Sequence, residues 1–76
     1  GPNPAAGYTM LNWLHTDDMT LTYSMYDLSG RTVMNGVLQP GDRTLDLAGI
    51  PSGTYIVDAR APGNLRQAAR LVVTGR

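Results

Sequence analysis

Seventy-six residues with no cysteine, lysine or glutamate, and six arginines balanced by six aspartates, leave room for one small domain spanning 1–76. A chain of this size hides only about 60% of its extended surface on folding, enough for one thin core but not for a core plus a deep substrate pocket. The missing cysteines exclude disulfides and thiolate metal sites, the zero net charge argues against nucleic acid as a partner, and no apolar run is long enough for membrane insertion as a span.

The absence of Lys and Glu, both strong helix formers, tilts the chain away from helix. Gly1-Pro2 reads as the stub that an expression tag leaves. The opening residues lack a charged segment followed by an apolar one, so an export address is expected on a parent chain. Tyr8 to Leu14 is strand-like, but Met10, Leu11, Trp13 and Leu14 cannot all face one side of a flat strand. A polar loop, His15 to Asp18, follows. The strongest periodic signal is Met19 to Met25, where alternation places Met19, Leu21, Tyr23 and Met25 on one face of a strand.

Asp27-Leu28-Ser29-Gly30 predicts a tight reversal. Arg31 to Leu38 returns as the hairpin partner, with Gly36 marking a bulge or bend. Pro40-Gly41-Asp42 is the next turn, and Thr44 to Leu47 alternates again with Leu45 and Leu47 inward. After the break at Gly49 to Gly53, where Ile50 is expected to plug the edge of the core, Thr54 to Arg60 forms a strand. Tyr55, Val57 and Ala59 share one of its faces; Ile56, Asp58 and Arg60 share the other. Pro62-Gly63-Asn64 turns the chain into the last strand, Leu65 to Thr74, with Ala69, Leu71 and Val73 inward. Short strands at this spacing predict an all-β sandwich or barrel of six or seven strands.

Little in the chain suggests reaction chemistry. His15, Asp17 and Asp18 form a cluster that could hold a metal only with further converging ligands, and no other His, Cys or Glu exists to supply them. Weak Ca²⁺ binding by Asp17, Asp18 and backbone carbonyls is the milder alternative to a plain polar turn. Nucleophilic catalysis would require His15 to reach Ser24, Ser29 or Ser52 across the domain, so no enzyme activity and no cofactor are expected. The glycines are turn glycines rather than a phosphate loop. Tyr23 and Tyr55 fit core positions, whereas Tyr26 is out of phase. Residues 59–76 carry Arg60, Arg66, Arg70 and Arg76 and no acid, which reads either as a solvated ribbon or as a basic docking strip.

Four segments, in this order and spacing, carry a family likeness: Pro2-Asn3-Pro4-Ala5, Tyr26-Asp27-Leu28-Ser29-Gly30-Arg31-Thr32-Val33, Leu45 through Val57 with its Gly53-Thr54-Tyr55, and Arg70-Leu71-Val72-Val73. Together they resemble the type A C-terminal sorting domain of the type IX (Por) secretion system over nearly the whole chain. The resemblance implies a Greek-key sandwich of immunoglobulin-like form with about seven strands. It implies a secretion signal that ends a larger cargo protein and passes through the periplasm to the cell surface or beyond.

The partners it implies are the outer-membrane translocon, its shuttle protein and a sortase-like peptidase that removes the domain and anchors the cargo. The recognition residues it implies are Gly53, Tyr55, Arg70, Leu71, Val72 and Val73, to which the basic strip adds Arg66 and Arg76. Arg70 stands where the family usually has Lys; the charge is kept, but a planar fork replaces a point charge. A monomer or weak dimer is expected. The competing readings are a passive immunoglobulin- or fibronectin-like accessory or adhesin module, and a carbohydrate-binding module with coplanar exposed rings.

Overall fold

Alternation from Leu21 onward turns one face of a strand inward: Leu21 and Met25 are both 0% exposed, with the half-buried Tyr23 between them. The computed structural model describes residues 4–5, 7–15 and 18–74. It contains β1 (Pro4–Ala5), β2 (Tyr8–Met10), β3 (Leu21–Asp27), β4 (Thr32–Leu38), β5 (Thr44–Asp46), β6 (Gly53–Ala61) and β7 (Leu65–Val73), with no helix among the described residues. Five strands form one sheet in the order β1-β7-β6-β3-β4, and β2 pairs with β5 in a second. Neighbours are antiparallel except β1 and β7, which run parallel.

Both layers contribute to a single apolar cluster. Leu45 and Leu47 enter it from the β5 side, and Leu21, Met25, Tyr55, Val57, Ala59, Leu71 and Val73 from the large sheet. Ile50 packs against its margin, as the sequence suggested. The architecture is all-β and compatible with an immunoglobulin-like sandwich, with seven strands if the two-residue β1 is counted.

Turn chemistry sets the hairpins. The Asp27 carbonyl accepts from the Gly30 N–H at 3.0 Å, and the Asp27 N–H donates to the Arg31 carbonyl at 2.9 Å. Gly30 follows at φ 93°, the left-handed conformation that a three-residue hairpin loop of this kind requires and that glycine adopts without strain. In the β6–β7 loop the left-handed region is also occupied by Asn64 (φ 64°), a residue type that tolerates it.

Two local expectations need correction. The expected bulge lies between Met25 and Tyr26, opposite Val33, while Gly36 stays in register across from Tyr23. Gly36 serves a different purpose: a Cβ there would lie 3.0 Å from the Tyr23 hydroxyl, so the missing side chain is the space the ring uses. The segment expected to be strand from Tyr8 to Leu14 pairs only to Met10; beyond it, Trp13 turns into the core and Leu14 faces out. Ala69 shares the inward face with Leu71 and Val73, opposite Val57, as expected, but it is exposed, because the second layer is two short strands wide and cannot cover the whole inner face of the longer β6–β7 ribbon.

Two side chains close the open side of that narrow layer. Arg43, itself buried, donates to the carbonyls of Asp42 (2.6 Å), Gln39 (3.2 Å) and Met19 (3.4 Å), joining the turn before β5 to the loop before β3. From β7, the Gln67 amide donates to the Asn12 carbonyl and accepts from the Leu14 N–H at 2.8 Å, which holds the segment carrying Trp13 against the large sheet.

Candidate functional site

The residues singled out in the sequence fall in two segments about fifteen positions apart, and the β6–β7 register brings them side by side. Gly53 stands opposite Val73, Thr54 opposite Val72, Tyr55 opposite Leu71 and Ile56 opposite Arg70. The ribbon therefore presents these residues as one continuous unit rather than as two separate motifs.

Their side chains divide by face. Tyr55, Leu71 and Val73 point inward and are buried, so they hold the ribbon to the core. The Tyr55 hydroxyl donates to the Pro51 carbonyl at 2.6 Å, and its ring lies 3.7 Å from where a Gly53 Cβ would stand. An aromatic ring bonded to the backbone four residues upstream pins the approach to β6, much as a tyrosine corner does in Greek-key sandwiches. Val72 is half-buried on the opposite face, and Arg66 and Arg70 are exposed there. Arg76 lies outside the described residues.

The far edge of β7 is only partly open. Pro4 pairs with Val72 and Ala5 with Val73, so β1 occupies the edge at the two residues nearest the end of the strand. From Leu65 to Leu71 the edge has no strand partner among the described residues.

The outward face carries the charge. Arg66 reaches diagonally across to Asp58, its Nη2 2.9 Å from Oδ2. Asp58 is only 9% exposed although it lies on the solvent side of β6, and its Oδ1 has no hydrogen-bond partner among the described residues. Arg60 stands directly opposite Arg66. Beside Arg60, at the start of β3 and the end of β6, is a shallow groove of about 360 Å³ lined by Thr20, Thr22, Arg60, Ala61 and Pro62. Sequence reasoning missed the Asp58–Arg66 contact and the role of Gln67. Alternation put Asp58 on the outward face but could not say which β7 residue lies diagonal to it.

The His15 cluster gains no further ligands among the described residues. His15 packs against Trp13, with ring centroids 4.9 Å apart and planes at 57°. Asp17 is outside the described residues, and among those described no three His, Cys, Asp or Glu side chains come together as metal ligands. Tyr26 is half-buried, on the face opposite Tyr55.

Two titratable groups are displaced from their ordinary values. Asp27 is held below the usual carboxylate range, first by the Ser29 hydroxyl, which donates to Oδ1 at 2.6 Å, and then by the Arg31 N–H at 3.0 Å. The Tyr23 phenol is pushed up by burial, with a smaller contribution from the negative charge of Asp46. Both positions belong to the scaffold rather than to the β6–β7 ribbon.

No curated protein and no solved structure matches the chain. The family model described as "Secretion system C-terminal sorting domain" matches residues 2–74, nearly the full length. The chain thus belongs to the family of C-terminal sorting domains that mark proteins for export by the type IX secretion system.

Proposed function

We propose that the β6–β7 ribbon is the part of this sorting domain that the outer-membrane translocon and its shuttle protein recognise. On this reading the domain crosses the periplasm folded, at the end of a larger cargo. A sortase-like peptidase then removes it and anchors the cargo at the cell surface, and the domain contributes no catalysis of its own. The membership that supports this reading is of a family of sorting signals, not of enzymes.

One observation carries the assignment to the ribbon: the register places Gly53 and Tyr55 against Val73 and Leu71, and Arg70 against Ile56. Residues buried on one face make the ribbon rigid, which leaves Arg66 and Arg70 projecting from a fixed frame. Recognition then costs little ordering entropy, since the backbone that carries the charges is already held.

The test is a fusion of these 76 residues to the C-terminus of a periplasmic reporter, expressed in hosts with and without the translocon. Reporter reaching the surface only when the translocon is present is the expected result. An Arg70→Ala fusion should stay folded and export less. Normal export of that folded variant would remove Arg70 from the recognition surface, and translocon-independent display would overturn the sorting assignment.

A further inference from the structure

Strand register aligns two rows of side chains on the outward face of the large sheet. One runs Tyr26–Ile56–Arg70 across β3, β6 and β7; the other runs Thr22–Arg60–Arg66 across the same strands. Asp58 lies in the row between them and accepts from Arg66. The face therefore carries three guanidinium groups against one carboxylate, although the chain as a whole is neutral. Of the other described acids, Asp27 is held in its turn by Ser29 and Arg31, Asp42 and Asp46 lie before and within β5 of the opposite layer, and Asp18 lies in the loop before β3.

Two features make this more than a solvated surface. Arg60 and Arg66 stand directly opposite one another, an arrangement of like charges that disfavours the ribbon. Among the described residues, the Asp58 carboxylate is bonded to Arg66 only, and the side chains of Arg60 and Arg70 have no ion pair or hydrogen bond. Ser24, Asp58 and Ala68 fill the row between the cations, while beside Arg70 in its own row Ile56 and Tyr26 are half-buried cross-strand neighbours that form a small apolar patch. An apolar patch with tyrosine, flanked by exposed arginines, has the composition of a protein interface.

We infer that this face, rather than the β7 edge alone, docks an acidic partner protein, whose carboxylates meet Arg60 and Arg70 while an apolar side chain covers Tyr26 and Ile56. The inference rests on the proposal that the β6–β7 ribbon is the docking element, and it names the chemistry of what docks there. A net excess of two positive charges is small for a membrane surface or nucleic acid, where affinity is built from many phosphate contacts. It suits a few directed carboxylate contacts, and arginine makes such contacts bidentate.

The experiment titrates the ¹⁵N-labelled full chain with a short peptide alternating Asp and Leu. The controls are the same peptide with Asn for Asp and vesicles of phosphatidylglycerol. Saturable binding of the acidic peptide is expected, with amide shifts concentrated around Tyr26, Ile56, Arg60 and Arg70. Affinity should fall about tenfold or more in an Arg60→Gln/Arg70→Gln double variant whose melting curve is unchanged. A Tyr26→Ser variant that stays folded should also bind more weakly.

Equal binding of the Asn peptide, binding to vesicles only, shifts confined to the β4 or β7 edge, or full affinity in the double variant would each overturn the inference. The reporter fusion reads sorting separately. Translocon-dependent export alongside failed peptide binding would discard this partner chemistry and leave the sorting assignment in place.

Discussion

The Tyr55 hydroxyl donates a 2.6 Å hydrogen bond to the carbonyl of Pro51, four residues upstream, while its ring fills core space beside Leu71. One side chain thus ties the approach to β6 and the β6–β7 ribbon into the same core. Tyr55→Phe keeps the ring and removes the bond, so a loss of about 1 kcal/mol in urea unfolding is expected. Tyr55→Ala also leaves a cavity and should cost about 3–5 kcal/mol, a large share of the stability of so small a domain. Export of the Ala variant should fail through misfolding, visible as protease sensitivity, and export of the Phe variant should persist.

Gly36 and Tyr23 make a second, opposite case, in which an added group is harmful. A Cβ at Gly36 would approach the Tyr23 ring to 3.0–3.2 Å. Overpacking of that kind typically costs about 1–3 kcal/mol, while replacing glycine by alanine returns about 0.4–1 kcal/mol through the unfolded chain. Gly36→Ala should therefore destabilise by roughly 1 kcal/mol. In a Tyr23→Leu background the same change should become neutral or stabilising, and a double-mutant cycle by chemical denaturation measures the coupling.

Asp27 makes the β3–β4 turn sensitive to pH. Its charged form accepts from the Ser29 hydroxyl and from the N–H groups of Ser29 and Arg31, and pairs with the Arg31 guanidinium at 3.2 Å. The folded carboxyl thus titrates below its unfolded value. Its contribution is fully present above the unfolded value, near pH 4, and is lost as pH falls through the lower, folded one. Urea midpoints measured from neutral pH downward should drop more steeply for the wild type than for Asp27→Asn, which keeps an acceptor but no charge.

Arg66 and Arg70 look alike in sequence and should behave differently. Arg66→Ala strips from the largely buried Asp58 carboxylate its only partner among the described residues, and should cost about 1–2 kcal/mol in addition to any effect on docking. Arg70 is exposed and unpaired among the described residues, so Arg70→Ala should change stability by less than about 0.5 kcal/mol. Thermal melts of the two variants, compared with their export in the reporter fusion, separate a structural arginine from a docking one. Export loss in Arg66→Ala that is reversed by cooling would mark a folding defect.

Much of the fold was legible because a sheet with one buried face writes its pleat into the chain. Leu21, Tyr23 and Met25, Leu45 and Leu47, and Tyr55, Val57 and Ala59 all announce their inward face by period two, and Asp27 to Gly30 announces its turn by residue type. The signal failed where the backbone leaves the sheet. Trp13 is buried from an irregular segment that Gln67 holds in place from more than fifty positions away, and no local period encodes such a contact.

The same division runs through the site. Local alternation, turn chemistry and the four segments shared with sorting domains determined the strand faces, the all-β class and the family. What the tertiary structure alone decided was lateral: Arg60 opposite Arg66, Arg66 diagonal to Asp58, Tyr26 beside Ile56, and β1 covering the end of β7. The physical reason is that alternation specifies which side of a strand a residue occupies but not which residue lies across from it. That second choice depends on loop lengths and on the bulge after Met25, and it is settled only when the strands pair around a common core.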